Sequence, residues 1–385
     1  MIHGGRVYFD NNATTAVADT VLNAMLPYLR EHYGNPSSPH GFARAPAMAI
    51  SRSREQLADL LGAEPSHFIF TSGGTEGNAA AVLGSLQASS PRNEVVFSAV
   101  EHVSVMAWCD RLIEQGFKVH IAPVNRDGNL DLDMLAGLLN ERTALVSVMM
   151  ANNETGILYP VNKIADMAHA VGALVHTDAA QSAGKIPVNF RALGVDFATV
   201  CGHKFHAVKG IGALYIRDAK KFRPLMLGGE QEFGRRPGTE PVPSIVALGA
   251  AATLAKSWLT GENSSRQQKA RDELESWLVS SIPRAIIAGQ KAPRLPNTTM
   301  ALISGVETEP LLALLDMAGV AASSGSACAS GAHEPSRVLA AMGADVTNNA
   351  VIRISSSRFT RDEDFEYLRT ALAGSVRRLL AAASR

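Results

Sequence analysis

The sequence is poor in the features that mark several protein classes. Its 385 residues hold three cysteines, Cys109, Cys201 and Cys328, widely scattered and with no Cys-x-x-Cys pair. That excludes a disulfide framework, argues against a structural zinc site and suits a reducing compartment. No apolar run approaches the ~20 residues a membrane-spanning helix needs. The first residues, Met1-Ile2-His3-Gly4-Gly5-Arg6, lack the apolar core of a secretory signal. An excess of charge of one sign is also missing. Lys and Arg number 36 against 36 Asp and Glu, so the basic footprint of a non-specific nucleic-acid binder is absent. These absences predict a cytoplasmic protein with neither membrane nor nucleic acid as a partner.

What is present is a globular chain, long enough for a large unit with a smaller one appended. Short apolar runs alternate with segments of helical period. His67-Phe70, Val95-Ser98, Phe117-Ile121, Ala144-Met149, Leu174-Thr177, Phe197-Val200 and Gly212-Ile216 read as strands. Leu132-Asn140 and Val161-Val171 read as helices between them. The alternation predicts an α/β fold with a mainly parallel seven-stranded sheet, functional residues collecting at the carboxyl ends of its strands. After about Gly238 the texture changes to two long helical patterns, short strands near Ala285-Ala288 and Thr298-Ile303, and a closing helix from about Asp362. We therefore divide the chain into a large domain, 14–255, and a smaller α+β domain, 1–13 with 256–385. Within the latter, the Gly/Ser/Ala-rich stretch Ala321-Ala332 reads as a mobile loop.

Three motifs carry chemistry. Asp178, in His176-Thr177-Asp178-Ala179-Ala180-Gln181, ends one strand, and Lys204, in Cys201-Gly202-His203-Lys204, follows the next. Alone, the acid reads as a helix cap and the lysine as a solvated loop residue. Together they are what pyridoxal phosphate requires: an amine for the aldehyde, and a carboxylate to keep the pyridine nitrogen protonated. The third motif, Thr71-Ser72-Gly73-Gly74-Thr75-Glu76-Gly77, follows a strand and opens a helical segment, so its amides can bind a phosphate. By itself it reads equally as a plain glycine turn.

With these motifs in order, the chain resembles the cysteine desulfurases, class V aminotransferases of pyridoxal-phosphate fold type I, and most closely their nitrogen-fixation branch. The likeness also rests on Tyr8-Phe9-Asp10-Asn11-Asn12-Ala13-Thr14-Thr15, Gly34-Asn35-Pro36-Ser37-Ser38, Glu101-His102 and Ala151-Asn152-Asn153-Glu154-Thr155-Gly156. It continues in Gly234-Arg235-Arg236-Pro237-Gly238-Thr239-Glu240, Ser323-Ser324-Gly325-Ser326-Ala327-Cys328 and Arg353. The resemblance implies that Lys204 holds the cofactor and removes the Cα proton. It implies that Asp178 pairs with the ring nitrogen and that His102 stacks on the ring, where an imidazole can relay protons. Gln181 and Asn153 lie near the phenolic oxygen. Gly74, Thr75, Cys201, Gly202 and His203 bind phosphate, with Thr239 from the partner of a homodimer. Arg353 clamps the substrate carboxylate, helped by Asn35 and Asn153.

By the same resemblance Cys328 takes sulfur from L-cysteine as a persulfide, releases alanine and serves an iron–sulfur scaffold or other acceptor. A buried packing role is the plain alternative for any lone cysteine. A class V aminotransferase needs no such thiol, and a selenocysteine lyase shares the fold. Three positions depart from the family pattern. Cys201 stands where serine is usual, Ala207-Val208 precede Lys209-Gly210, and Ser355-Ser356-Ser357 follow Arg353 in place of a more apolar run.

Overall fold

The computed structural model describes residues 6–89, 91–325 and 336–383. Cys328 and most of the surrounding Gly/Ser/Ala-rich stretch lie outside the described residues. Its strands are β1 (Val7–Tyr8), β2 (Phe68–Thr71), β3 (Glu94–Ser98), β4 (Lys118–Ala122), β5 (Thr143–Ser147), β6 (Leu174–Asp178), β7 (Phe197–Cys201), β8 (Gly212–Ile216), β9 (Ala285–Ile287), β10 (Thr298–Ser304), β11 (Val320–Ala321) and β12 (Asn349–Ser355). Seven of them, in the order β2-β8-β7-β6-β5-β3-β4, form the main sheet, and only β8 runs against the others. All seven expected strands are in it.

Burial explains why these segments are strands. β2, β3, β5, β6, β7 and β8 are buried at every position, as in a sheet covered on both faces. Their side chains divide with period two. Ile69, Val95, Phe97, Leu145, Leu174, Phe197, Leu214 and Ile216 pack with Ala80, Ala81, Val82 and Leu86 of the helix Gly74–Ala88. Phe68, Phe70, Val96, Val146, Val175, Ala198, Val200, Ala213 and Tyr215 belong to the opposite core, with helices Asp19–Arg30, Arg44–Leu61, Val161–Ala170 and Val242–Leu259. The Gly74–Ala88 helix lies close on β7 because residue 77 is glycine. A Cβ there would come within 2.7 Å of Thr199 Cγ2.

A second, antiparallel sheet, β12-β10-β9, is backed by helices Asn263–Ser281, Thr308–Met317 and Asp362–Ala383. Val7 and Phe9 enter the core of this region, and the Phe9 ring meets Phe365 edge-on at 5.1 Å. β1 fixes that entry by pairing in parallel with β11. β12 has no counterpart in the sequence reading. Ala350, Ile352 and Ile354 face the core of this region, and Arg353, on the opposite face, is an arginine only 1% exposed.

An ion pair links the sheet to the loop that follows it. Arg54 forks onto Glu232 with both contacts at 2.7 Å, and Glu232 also accepts the Phe70 N–H at 2.8 Å. Glu232 and its neighbour Phe233 hold left-handed φ values of 50° and 60°, a strain of about 1–3 kcal/mol per residue that such contacts must offset. Both charged side chains are over nine-tenths buried. Glu232→Ala should therefore lower stability in urea unfolding by about 3–5 kcal/mol, because the Arg54 charge is left buried without its partner. A loss under about 1 kcal/mol would contradict this role.

Candidate active site

The β6–β7 register sets Asp178 opposite Thr199, and a single turn, Gly202–Lys204, follows β7. A carboxylate and an amine thus leave neighbouring strand ends. Asp178 is fixed at both oxygens: Oδ1 accepts the Ala180 N–H at 2.9 Å and Oδ2 accepts Asn78 Nδ2 at 2.8 Å. Lys204 Nζ donates to the carbonyls of Asn12 and Ala13 at 2.7 and 2.8 Å.

Asn12 joins most of this cluster. Its N–H donates to Ser355 Oγ, and its Nδ2 to the Asn153 carbonyl and Thr298 Oγ1. Its Oδ1 accepts Lys185 Nζ and Asn297 Nδ2, while its carbonyl accepts Gln181 Nε2 as well as Lys204. Lys185 also donates to Gln181 Oε1 at 2.5 Å. This second lysine is fully buried among neutral acceptors. Burial, then Lys204, Arg353 and Arg358, pull its amine well below the usual lysine range.

The phosphate-cradle residues gather on the other side of β7. No side chain caps the Gly74–Ala88 helix, so its first amides are available to an anion. Gly73 has φ 153°, and a Cβ built there meets nothing within 4 Å; the space beside the first turn is open. Gly212 keeps it so, since a Cβ there would press within 2.9 Å of the Gly73 backbone. A Cβ at Gly74 would stand 3.8 Å from Cys201 Sγ, which puts the Cys201 thiol at this helix start. Burial raises that thiol above its ordinary value, so it stays protonated. His203 lies beside it in sequence, with Nδ1 3.0 Å from Thr14 Oγ1. Burial, then Lys204, Lys209 and Lys185, pull His203 down to about 4, so it is neutral at pH 7. Thr75 is exposed.

His102 caps the short helix Val103–Met106, its Nδ1 accepting the Ser104 N–H. Glu101 before it is wholly buried, with Oε1 accepting Ser98 Oγ and the Met149 N–H, both at 2.6 Å. Burial, and to a lesser degree Asp178, push its carboxyl up to about 8. Arg353 reaches from β12 to the same region. Nη1 donates to the carbonyls of Asn153 and Gly325, Nη2 pairs with Asp10 at 2.5 Å, and Nε has no partner among the described residues.

The structure therefore brings together Lys204, Asp178, Gln181, Asn153 and Arg353, and separately Gly74, Cys201, Gly202 and His203 along the end of β7. Asn35 and Thr239 are exposed in the single chain, and among the described residues no hydrogen bond ties either to the cluster. Asn35 Oδ1 instead accepts the Ser37 N–H. Sequence reasoning did not single out Asn12, Asn78, Ser104 or Lys185. Asn12 and Asn78 sit in or beside quoted motifs, but nothing in their spacing tells which side chain turns inward. The serine run after Arg353 is tied down: Ser355 Oγ accepts the Asn12 N–H, Ser356 Oγ accepts Gln267 Nε2, and Ser357 Oγ accepts the Phe359 N–H.

A family model described as aminotransferase class V matches residues 7–368. A protein of Azotobacter vinelandii named cysteine desulfurase NifS is 45% identical over 362 residues, 94% of this chain and 90% of that protein. A solved structure titled NifS-like protein superposes with a TM-score of 0.88 at 36% identity, covering 96% of this chain and 98% of that one. Another, titled SspA in complex with cysteine, has a TM-score of 0.80 at 31% identity, covering 92% of this chain and 99% of that one.

The raised Glu101 carboxyl has a consequence for stability. Folded, it keeps its proton up to about pH 8, whereas unfolded it releases it near the ordinary glutamate value of 4.5. Between those values the folded state binds the extra proton, so this residue makes stability fall as pH rises. Glu101→Gln keeps the acceptor without the titration. Its unfolding free energy should depend on pH less steeply than the wild type's between pH 5 and 8, by up to about one proton's worth. Parallel slopes for the two proteins would show that Glu101 is ionised in the fold.

Proposed function

Because the chain belongs to the aminotransferase class V family, we propose that it is a cysteine desulfurase, moving sulfur from L-cysteine to Cys328 and then to an acceptor of iron–sulfur cluster assembly. The observation that carries the reading is the placement of Lys204 and Asp178 on adjacent strand ends, beside an uncapped helix start. These residues fit pyridoxal 5′-phosphate. The open space at Gly73 and the first amides of the Gly74–Ala88 helix suit a phosphate, and the doubly fixed Asp178 suits a protonated ring nitrogen. When bound, the cofactor supplies an electron sink for the carbanion formed at the substrate Cα.

The chain's own groups do the rest. Lys204 Nζ would hold the cofactor once freed from the Asn12 and Ala13 carbonyls, and would take the proton from the substrate Cα. Asp178 would keep the ring nitrogen protonated. Gln181 and Asn153, both tied to Asn12, would offer polar groups to the phenolic oxygen. Arg353 receives the substrate carboxylate, its guanidinium already holding Asp10 through Nη2 and offering Nε as a donor. The Cys328 thiolate attacks the substrate sulfur. A new S–S bond forms, the C–S bond breaks, and its electron pair stays on carbon, which a proton completes to alanine. Cys328 belongs to the smaller domain, residues 1–13 and 256–385, and the loop around it carries the sulfur between substrate and acceptor. The active unit is a cytoplasmic homodimer in which Thr239 of one copy reaches the phosphate site of the other.

Two variants test this together, with alanine and sulfide measured from L-cysteine. Lys204→Ala should lose both products by at least about a hundredfold. Cys328→Ala should still bind the cofactor and perturb its absorbance with L-cysteine, yet release no sulfide. Wild-type sulfide from Cys328→Ala would overturn the persulfide route, and wild-type alanine from Lys204→Ala would overturn the role of the lysine.

A further inference from the structure

A line of hydrogen bonds joins two groups assigned to opposite parts of the cofactor ring. Asp178 Oδ2 accepts Asn78 Nδ2 at 2.8 Å; Asn78 Nδ2 also donates to Ser104 Oγ at 2.8 Å; Ser104 Oγ lies 2.8 Å from His102 Nδ1. Asn78 is wholly buried and Ser104 is 9% exposed, so water does not replace these bonds freely. The direction of donation can be worked out along the line. A carboxylate only accepts, so the amide must turn its NH₂ group toward Asp178, which leaves Asn78 Oδ1 without a partner among the described residues. The same NH₂ group occupies a lone pair on Ser104 Oγ. A second lone pair remains on that oxygen, so this contact alone does not direct the hydroxyl proton. The Ser104 backbone N–H, which can only donate, points at His102 Nδ1 from 3.2 Å and makes that nitrogen an acceptor, so the hydroxyl 2.8 Å away donates to it as well. Two donors face Nδ1.

We propose that Asp178, through Asn78 and Ser104, fixes His102 as the neutral tautomer that carries its proton on Nε2. Ser104 and Asn78 are thus positioning residues. The inference rests on the proposed function only in taking His102 to stack on the cofactor ring, as the resemblance implies. With Nδ1 committed as an acceptor and Nε2 already protonated, His102 is a fixed hydrogen-bond donor, not a base. Removal of the Cα proton then falls to Lys204 alone. A protonated imidazole would set an N–H at Nδ1 against the Ser104 backbone N–H, a conflict the fold does not relieve.

The test is ¹⁵N NMR of the ring nitrogens in histidine-labelled protein, read with and without pyridoxal phosphate at pH 7.5, His102 being assigned by its loss in His102→Gln. The wild type should show Nε2 protonated and Nδ1 as a hydrogen-bonded acceptor. Ser104→Ala should move the Nδ1 resonance toward that of an unbonded acceptor, and Ser104→Thr, which keeps the hydroxyl, should restore it. Asn78→Ala frees the Ser104 hydroxyl to turn and should introduce exchange between tautomers. Turnover of L-cysteine by Ser104→Ala should fall about fivefold in kcat with KM little changed, the size of one lost hydrogen bond. A wild-type spectrum with Nδ1 protonated, or ring nitrogens unmoved in Ser104→Ala, would overturn the proposal. The cofactor-free spectra read the tautomer whether or not the protein is a desulfurase, so the two failures are distinguishable.

Discussion

Everything around Lys204 depends on one asparagine having no group left over. Asn12 is 1% exposed, and its N–H, carbonyl, amide oxygen and amide nitrogen are all bonded. The bonds reach five parts of the chain: the turn after β6, the turn after β7, the loop after β5, and the strands β10 and β12. No larger side chain could replace it, and no smaller one could reach as far. Through Asn12 the two sheets share a boundary that is polar but satisfied, which is the condition for burying such a network without loss of stability.

The electrostatics follow from the same boundary. Lys185, Lys204 and Arg353 meet there, and Asp10 pairs with Arg353. Burial keeps His203 uncharged nearby, so the excess of positive charge comes from lysine and arginine. On the other side of the cofactor position Asp178 stands with a proton-bearing Glu101, and one negative charge is retained where two carboxyls approach. The site is thus divided into a cationic half suited to phosphate and carboxylate, and an anionic half suited to a protonated ring.

Much of the fold was legible because the strands are short, apolar and separated by helices of plain period. Val95, Val96 and Phe97 can hardly be anything but a buried strand. β12 went unread although Ala350, Ile352 and Ile354 alternate with Val351, Arg353 and Ser355; what that pattern hides is that Arg353 and Ser355 are buried. The pairing of Asp178 with Lys204 could be read from their strand-end positions. The Asn78–Ser104–His102 line could not. A sequence shows that a serine lies two residues after a histidine, but not which lone pair an amide elsewhere has already taken. Asn35 and Thr239, named from resemblance, stand apart in the single chain.

Asn12 is translated well before two of its partners, Thr298 and Ser355, which follow 286 and 343 residues later. At typical elongation rates the interval to the second is roughly 20–70 s. For that time the lysine-bearing turn after β7 can be translated and its sheet closed while its ceiling is still missing. The polar cluster around Asn12 can therefore be completed only once Ser355 has been made.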